Sequence, residues 1–364
     1  MQLTDRLSPT RWRYWRIVVA LAAKDIVDAL KNKTTLTIVL GLAMMMLTVQ
    51  ALPLLLKLDD RPRVAIYDAA RSGVADTLRQ GRTVQVYELR TAEDALNTAV
   101  ETSSALVAVT LPEGWEDGTG DLTIEGYLAY WVPGKTAVPL VRDIEQALTA
   151  VTGRTVTIQT QTVYPTLENG GHTIMVALGL VLATILITSI LVPHLIVEEK
   201  TTHTMALLRV SPVSVSQILL GKGFAGTVYG ILAAAVLLAF NLTMIHLWTI
   251  LLPAVIGIVL FGVGLGLLVG ILVENEGSVQ MWVGLLVVVL IFPLMLAFVG
   301  TDKLPAWVQS IVAWLPTTAV FDLIRLSFGN AWLPEMVWPK FTAVMIAIIL
   351  VFATAGWRLQ SWES

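Results

Sequence analysis

Few residues of this chain have the types and spacing that catalysis or metal binding requires. Its 364 residues include no cysteine, which excludes disulfides, thiolate zinc sites, iron–sulfur clusters and cysteine nucleophiles. The histidines lack the spacing of metal ligands, and no H-E-x-x-H motif is present. Gly221-Lys222 lacks the upstream glycine of a phosphate-binding loop. We therefore predict no catalytic residue, cofactor or metal on this chain, and no ATP hydrolysis by it alone. The histidines are His172, His194, His203 and His246.

The most informative stretch lies at residues 198–222, between two apolar segments. It begins with an acidic–basic cluster (Glu198–Lys200), continues as a short amphipathic segment (Met205–Leu208) and is interrupted at Ser211-Pro212. Either Ser211 or Ser214 can cap the helix that follows. A short helix held between two membrane spans is a surface that another protein can push.

The elements that must position this stretch are membrane helices. The chain is 55% hydrophobic and 14% charged, whereas an ordinary soluble domain is about 25% charged. A spanning helix needs about 20 mostly apolar residues, and six such spans can be counted. They are predicted at 34–56, at 169–197, twice within 223–273 with a turn near 246–253, at 277–301 and at 341–357.

The segment 57–172 carries 26 of the 51 charged residues, which is typical of a water-soluble domain. Its apolar residues predict strands that alternate with helices, from a strand at Val64–Tyr67 to a helix at Thr136–Val151. The predicted fold class is a polytopic α-helical membrane protein with six transmembrane helices and an extracytoplasmic α/β domain inserted between spans 1 and 2. That domain is interpreted as a lid or scaffold, or alternatively as a substrate gate or partner-docking module.

Basic residues near the spans set the orientation, since they remain on the cytoplasmic side. Residues 1–33 carry seven of them and form the predicted amphipathic elbow helix, so the N-terminus is placed in the cytoplasm. Six spans return the C-terminus to the same side. The predicted location is a prokaryotic plasma membrane. Span 1 is too long for an ordinary signal peptide core and is interpreted as a retained anchor.

Residues 304–330 are predicted to be external helices that enter and leave the membrane from one side. Pro305 and Pro316 bracket the middle of 304–321, and a seventh span there would leave almost no loop before Phe341. Four tryptophans nearby predict an interfacial belt, and Asp322 is predicted to pair with Arg325, three residues later. The tryptophans are Trp307, Trp314, Trp332 and Trp338.

The pattern E-E-K-x-x-x-T-x-x-L-L-x-x-S-P-V-S, followed by I-L-L-G-K, resembles the coupling-helix loop of type-2 ATP-binding-cassette (ABC) exporter permeases. The likeness covers most of the chain, although the glycine often found just after the acidic pair is absent. The resemblance implies two cytoplasmic ABC ATPase subunits, which carry the ATP and Mg²⁺, and a second permease copy or a paralogue. The residues it assigns to ATPase coupling are Glu198, Glu199, Lys200, Thr204, Met205, Leu207, Leu208, Ser211, Pro212 and Val213.

Two rows of small residues repeat at four-residue spacing, Gly262, Gly266 and Gly270 in one span and Gly226 and Gly230 in another. Such rows let helix backbones approach closely, so they predict either helix packing within the chain or a dimer interface.

The function predicted from the sequence is that of an exporter permease driven by a separate ATPase. The alternative is a mechanotransmission or signalling subunit that transports nothing itself. The lipid bilayer is a further predicted partner. A net charge of −3 with no basic stripe argues against nucleic acid as a partner. No carboxylate is predicted in mid-span, which favours an amphiphilic substrate over a bare ion.

Overall fold

The computed structural model describes residues 9–31, 41, 44, 61–102, 105–118, 120–167, 171–201, 214–299 and 305–363. Apart from positions 41 and 44, the predicted first span at 34–56 lies outside these residues. The helices are α1 (Pro9–Lys31), α2 (Val74–Gly81), α3 (Ala92–Glu101), α4 (Gly134–Thr152), α5 (Gly171–Thr201), α6 (Val215–Ala239), α7 (Trp248–Leu272), α8 (Glu276–Val299), α9 (Ala306–Trp314), α10 (Pro316–Phe328) and α11 (Pro334–Glu363). The strands are β1 (Arg63–Asp68), β2 (Gln85–Glu88), β3 (Val107–Leu111), β4 (Leu122–Ala129) and β5 (Val156–Val163).

The five strands form one sheet in the order β2-β1-β3-β4-β5. Neighbouring strands are parallel except β3 and β4, which are antiparallel. The chain between β3 and β4 contains only a short 3-10 turn, Trp115–Asp117, and a connection without a crossover helix can join only antiparallel neighbours. The core strand β1 is buried, with Val64 and Ile66 fully inaccessible.

The predicted small α/β sheet is therefore present, and its helices and first four strands lie close to their predicted positions. Strand β5 was not predicted. It alternates only at Val156 and Ile158, which are buried, while residues 159–162 are polar and exposed. Half of the strand thus lacks the apolar alternation that marks a strand in a sequence.

Five helices among the described residues are long and apolar enough to cross a membrane: α5, α6, α7, α8 and α11. They correspond to predicted spans 2 to 6. The chain between α6 and α7 turns at residues 240–247, which overlaps the predicted turn near 246–253. Helix α6 begins at Val215, ahead of the charge-free run predicted to start at Gly223, so Lys222 lies two turns inside the helix.

Helix α7 lies at the centre of the helical body. Of its most apolar 18 residues 72% are buried, against 17% of the corresponding residues of α8. It packs against α5, α6, α10 and α11. Helices α9 and α10 meet at a bend of 78°, so residues 304–321 do not form a straight seventh span.

Helices α5 and α6 define two ends of this body. Thr201, the last residue of α5, and Ser214, which precedes α6, lie at one end. The sheet and the α6–α7 turn lie at the other, where Tyr130 of the sheet domain donates a hydrogen bond to the Met244 carbonyl. A helix of 25 residues such as α6 is about 37 Å long, which is enough to separate the two ends by the thickness of a bilayer.

Candidate coupling site

The predicted coupling segment is held at both ends by well-formed helices. Its central residues lie outside the described part of the chain: Thr204, Met205, Leu207, Leu208, Ser211, Pro212 and Val213. Helix α6 begins with a capping box. The backbone amide of Gln217 donates to Ser214 Oγ, and the backbone amide of Ser214 donates to Gln217 Oε1. Ser214 is therefore the cap of this helix, as one of the two predicted alternatives stated.

A cluster of charged side chains lies near the N-terminal end of α6. Lys222 Nζ is 3.1 Å from Glu199 Oε1 and 3.4 Å from Asp25 Oδ2. The lysine side chain is 2% exposed, that of Asp25 8% and that of Glu199 11%. The three residues come from α6, α1 and α5, and we call them the buried ion cluster. A buried ammonium is costly unless it is paired, so this lysine fixes three helices relative to one another.

The acidic members of the buried ion cluster have only limited access to water. Burial raises the pKa of Asp25 above its ordinary value, and the nearby Lys222 ammonium opposes that shift. Lys24 adds an outer cation, with Nζ 3.9 Å from Glu199 Oε1 and a half-exposed side chain. The cluster therefore grades from a buried centre to a solvated rim.

Lys200, the next residue after Glu199, binds a different helix. Its Nζ donates to the carbonyl oxygens of Gly270 at 2.8 Å, Ile271 at 3.1 Å and Val273 at 2.7 Å. These carbonyls lie at the C-terminal end of α7, where the helix leaves them without intrahelical partners and the helix dipole favours a cation. Lys200 therefore ties the end of α5 to the end of the central helix.

The predicted acidic–basic cluster thus divides into three different environments. Glu198 is exposed, Glu199 is buried against Lys222, and Lys200 caps α7. Any displacement of segment 202–213 acts on helix ends that are already joined to α1, α6 and α7. The charged side chains at this end therefore link four helices to one another, α1, α5, α6 and α7.

Helix α1 lies along the first half of α6 and runs in the same direction. Its Tyr14 carbonyl is 3.4 Å from Gln217 Nε2, and its Ile26 carbonyl accepts a 2.6 Å hydrogen bond from the Tyr229 hydroxyl. Between these contacts Gly221 allows the close approach, because a Cβ there would lie 2.9 Å from the Leu21 Cβ. Gly221 therefore allows α1 to approach closely, and Lys222 binds α1 through Asp25.

Both predicted glycine rows lie against α5 of the same chain. A Cβ at Gly262 or Gly230 would collide with Thr188, and one at Gly266 or Gly226 with Val192. Gly270 faces Ile196 in the same way. The small residues therefore allow α6 and α7 to pack closely on successive turns of α5.

At the other end of the body, the described residues make contact through aromatic rings and hydrogen bonds to backbone carbonyls. The Tyr130 ring stacks on Tyr164 with centroids 5.1 Å apart, and His246 of the α6–α7 turn meets both rings edge-on. Arg325 of α10 donates to the carbonyls of Thr166 at 3.3 Å and Leu167 at 2.5 Å. These contacts fasten the sheet domain to the turn and to α10.

The predicted pair between Asp322 and Arg325 is wrong. Asp322 instead pairs with Lys340 of α11, at 2.5 Å, while the guanidinium of Arg325 is turned toward the chain that leads into α5. Spacing of three residues permits a pair along a helix, but here Asp322 binds Lys340 and the Arg325 guanidinium binds the carbonyls of residues 166 and 167.

Sequence reasoning missed the tertiary partners of the motif, namely Asp25 and the α7 carbonyls. A signal for Asp25 was present, because it is an acidic residue on the side of α1 that also carries the apolar Val18 and Ala22. Within the described residues, no three histidine, aspartate or glutamate side chains are grouped to hold a metal ion.

Comparison with known proteins gives one family match. The model of a family described as ABC-2 family transporter protein matches residues 33–358. A search of curated proteins finds no match to this chain. The family match covers the sheet domain, the buried ion cluster except for Asp25, and the five long apolar helices up to residue 358 of α11.

Proposed function

Because this chain belongs to the ABC-2 family of transporter proteins, we propose that it is the permease subunit of an exporter that moves its substrate outward across a membrane. ABC-2 permease domains are membrane transport components that partner with an ATPase subunit and are generally not catalytic themselves. The five long apolar helices agree with a multi-pass membrane protein. Direction, coupling and stoichiometry are the parts that we propose.

The observation that carries the proposal is the linkage around segment 202–213. Lys200 joins the end of α5 to α7, and Lys222 joins α6 to α5 and α1. A partner that pushes this segment therefore acts at once on four helices. We propose that the ATPase docks on Met205–Val213, with Glu198 exposed at the edge of the contact.

The sheet domain is proposed to lie on the opposite side of the membrane, in the extracytoplasmic space. It contacts the α6–α7 turn, at the far end of α6 from the coupling segment. Both termini and the coupling segment are then cytoplasmic. The proposed assembly holds two permease chains, identical or paralogous, and two ATPase subunits.

Coupling is tested with Leu207→Asp combined with Leu208→Asp, in membranes that also contain the partner ATPase. We expect ATPase binding and permease-stimulated ATP hydrolysis to fall while membrane insertion is retained. The matched control is Leu96→Asp with Val138→Asp, which places the same charges on exposed apolar positions of the sheet domain. Unchanged coupling in the first double variant would remove these leucines from the proposed role.

Sidedness is tested with single cysteines, which report without background because the chain has none. A cysteine in place of Glu116 is exposed on the sheet domain, and one in place of Ser211 lies in the coupling segment. We expect a membrane-impermeant maleimide added to whole cells to label only the first. Labelling of both from the same side would overturn the proposed topology.

Transport itself separates the proposal from a signalling subunit. In proteoliposomes with the ATPase, an exporter shows ATP-dependent movement of substrate and substrate-stimulated ATP hydrolysis. A mechanotransmission subunit would change the conformation of the sheet domain on ATP addition and move no substrate.

A further inference from the structure

Helix α1 has an apolar face that α6 does not cover. The buried face carries Val18 and Ala22, which are 2% and 1% exposed. A second apolar row contains Trp12, Trp15 and Val19, which are 53–58% exposed. Residues spaced by three and four positions share one stripe of a helix, so this row follows the outside of α1 for at least two turns.

Two arginines border this row. Arg13 and Arg16 are exposed and one turn apart, and Arg16 also follows Trp12 by one turn. The sequence from Pro9 to Ala23 contains no acidic residue. The outer face of α1 therefore combines indole rings, an apolar stripe and two exposed guanidinium groups along its first half.

The position of α1 determines what this face meets. Contacts from Ser216 to Tyr229 hold α1 beside the first half of α6, which is one of the long apolar helices. The outer row is thus presented where a spanning helix enters the bilayer. Tryptophan is enriched at that level, and arginine binds phosphate through a rigid fork of donors.

We propose that the outer face of α1, formed by Trp12, Arg13, Trp15, Arg16 and Val19, is a docking surface for anionic phospholipids. The indole rings and Val19 lie among the acyl chains near the headgroups, and the two guanidinium groups bind lipid phosphates. Anionic lipid is favoured over zwitterionic lipid, since each basic side chain near a charged membrane surface contributes about fivefold in affinity. The proposal goes beyond transport and does not depend on its direction.

Lipid selectivity is measured on the full chain reconstituted with spin-labelled phosphatidylglycerol or phosphatidylcholine. We expect the wild type to hold phosphatidylglycerol more tightly at its motionally restricted sites. Arg13→Gln with Arg16→Gln should remove most of that preference, and Arg13→Lys with Arg16→Lys should keep much of it. The matched control is Arg90→Gln with Arg142→Gln, which removes two exposed arginines from the sheet domain and should leave the preference unchanged. Equal preference in the wild type and the glutamine pair would overturn the proposal.

The location of the row is measured with a spin label on a cysteine in place of Val19. We expect frequent collisions with oxygen, which concentrates in the acyl chains, and few with a water-soluble nickel chelate. A label in place of Ala20, which is exposed beside the arginines, should collide more often with the chelate. Frequent chelate collisions at position 19 would place the row in water. Protection from both reagents would mean that a protein, such as the ATPase or a second copy, covers it. Either result would overturn the proposal.

Discussion

The two ends of the helical body are held together by different interactions. At the coupling end, one lysine that is 2% exposed joins three helices through two buried carboxylates. At the sheet end, stacked aromatic rings and an arginine bound to backbone carbonyls share the contact among several partners. A buried charge network depends on each of its members, whereas dispersed contacts fail one at a time. The coupling end should therefore respond more sharply to a single change.

This contrast agrees with the proposed coupling, in which this end switches between discrete arrangements. If α1 moved away from α5 and α6 and Lys222 gained no new partner, buried charges would be left unpaired. Intermediate positions of α1 are therefore unfavourable. The aromatic junction allows small displacements without losing every contact.

Lys222→Met gives the sharpest test of the contrast. It leaves Asp25 and Glu199 buried without their central cation, and we expect a loss of about 3–5 kcal/mol in stability. Thermal unfolding of the purified protein measures this loss. Lys340→Met is the matched control, because its pair with Asp322 is more exposed, and it should cost clearly less. Adding Asp25→Asn and Glu199→Gln to Lys222→Met should restore part of the stability; equal losses in the two lysine variants would contradict a special role for the buried ion cluster.

Arg325→Met tests the strongest single contact at the sheet end. It removes the hydrogen bonds to the Thr166 and Leu167 carbonyls. Bonds to a charged donor contribute about 1.5–3 kcal/mol, and we expect the lower value, because Thr166 is exposed and water can replace the guanidinium there. Hydrogen exchange should become faster in residues 164–174 and stay unchanged at the end of α5. Faster exchange around residues 195–201 would show that the two ends are not separately held.

Tyr130→Phe tests how far the sheet end depends on one hydrogen bond. The variant keeps the ring that stacks on Tyr164 and loses the bond to the Met244 carbonyl. A neutral hydrogen bond contributes about 1 kcal/mol, so the unfolding midpoint should fall only slightly. Tyr130→Ala, which also removes the ring, should cost more. If the two substitutions had the same effect, stacking would contribute nothing measurable to this junction.

Lys24→Gln should have the smallest effect, although Lys24 belongs to the coupling end. Its ammonium is 3.9 Å from Glu199 and 4.0 Å from Asp28, and its side chain is 53% exposed. Exposed pairs contribute about 0–1 kcal/mol and are screened by salt. The unfolding midpoint should be nearly that of the wild type, and any difference should vanish in 1 M salt. A loss as large as that of Lys222→Met would mean that burial does not decide the strength of these pairs.

The sequence determined the features that depend on local composition. Runs of apolar residues predicted spans 2 to 6, because a bilayer imposes one length on every crossing helix. Apolar alternation predicted the sheet domain except β5, because residues 159–162 of that strand are polar and exposed. This half of β5 is held by its pairing with β4, which the types of its own residues do not reveal.

Only the tertiary structure decided how the motif residues are used. Glu199 and Lys222 lie on different helices, α5 and α6, and Asp25 lies on a helix far earlier in the chain. Their meeting depends on the rotation of α1, α5 and α6 about their axes, which hydropathy does not encode. The partners of Arg325 and of the glycine rows were likewise decided only by the tertiary structure. Residue spacing fixes which side chains share a helix face but not which neighbouring helix that face contacts.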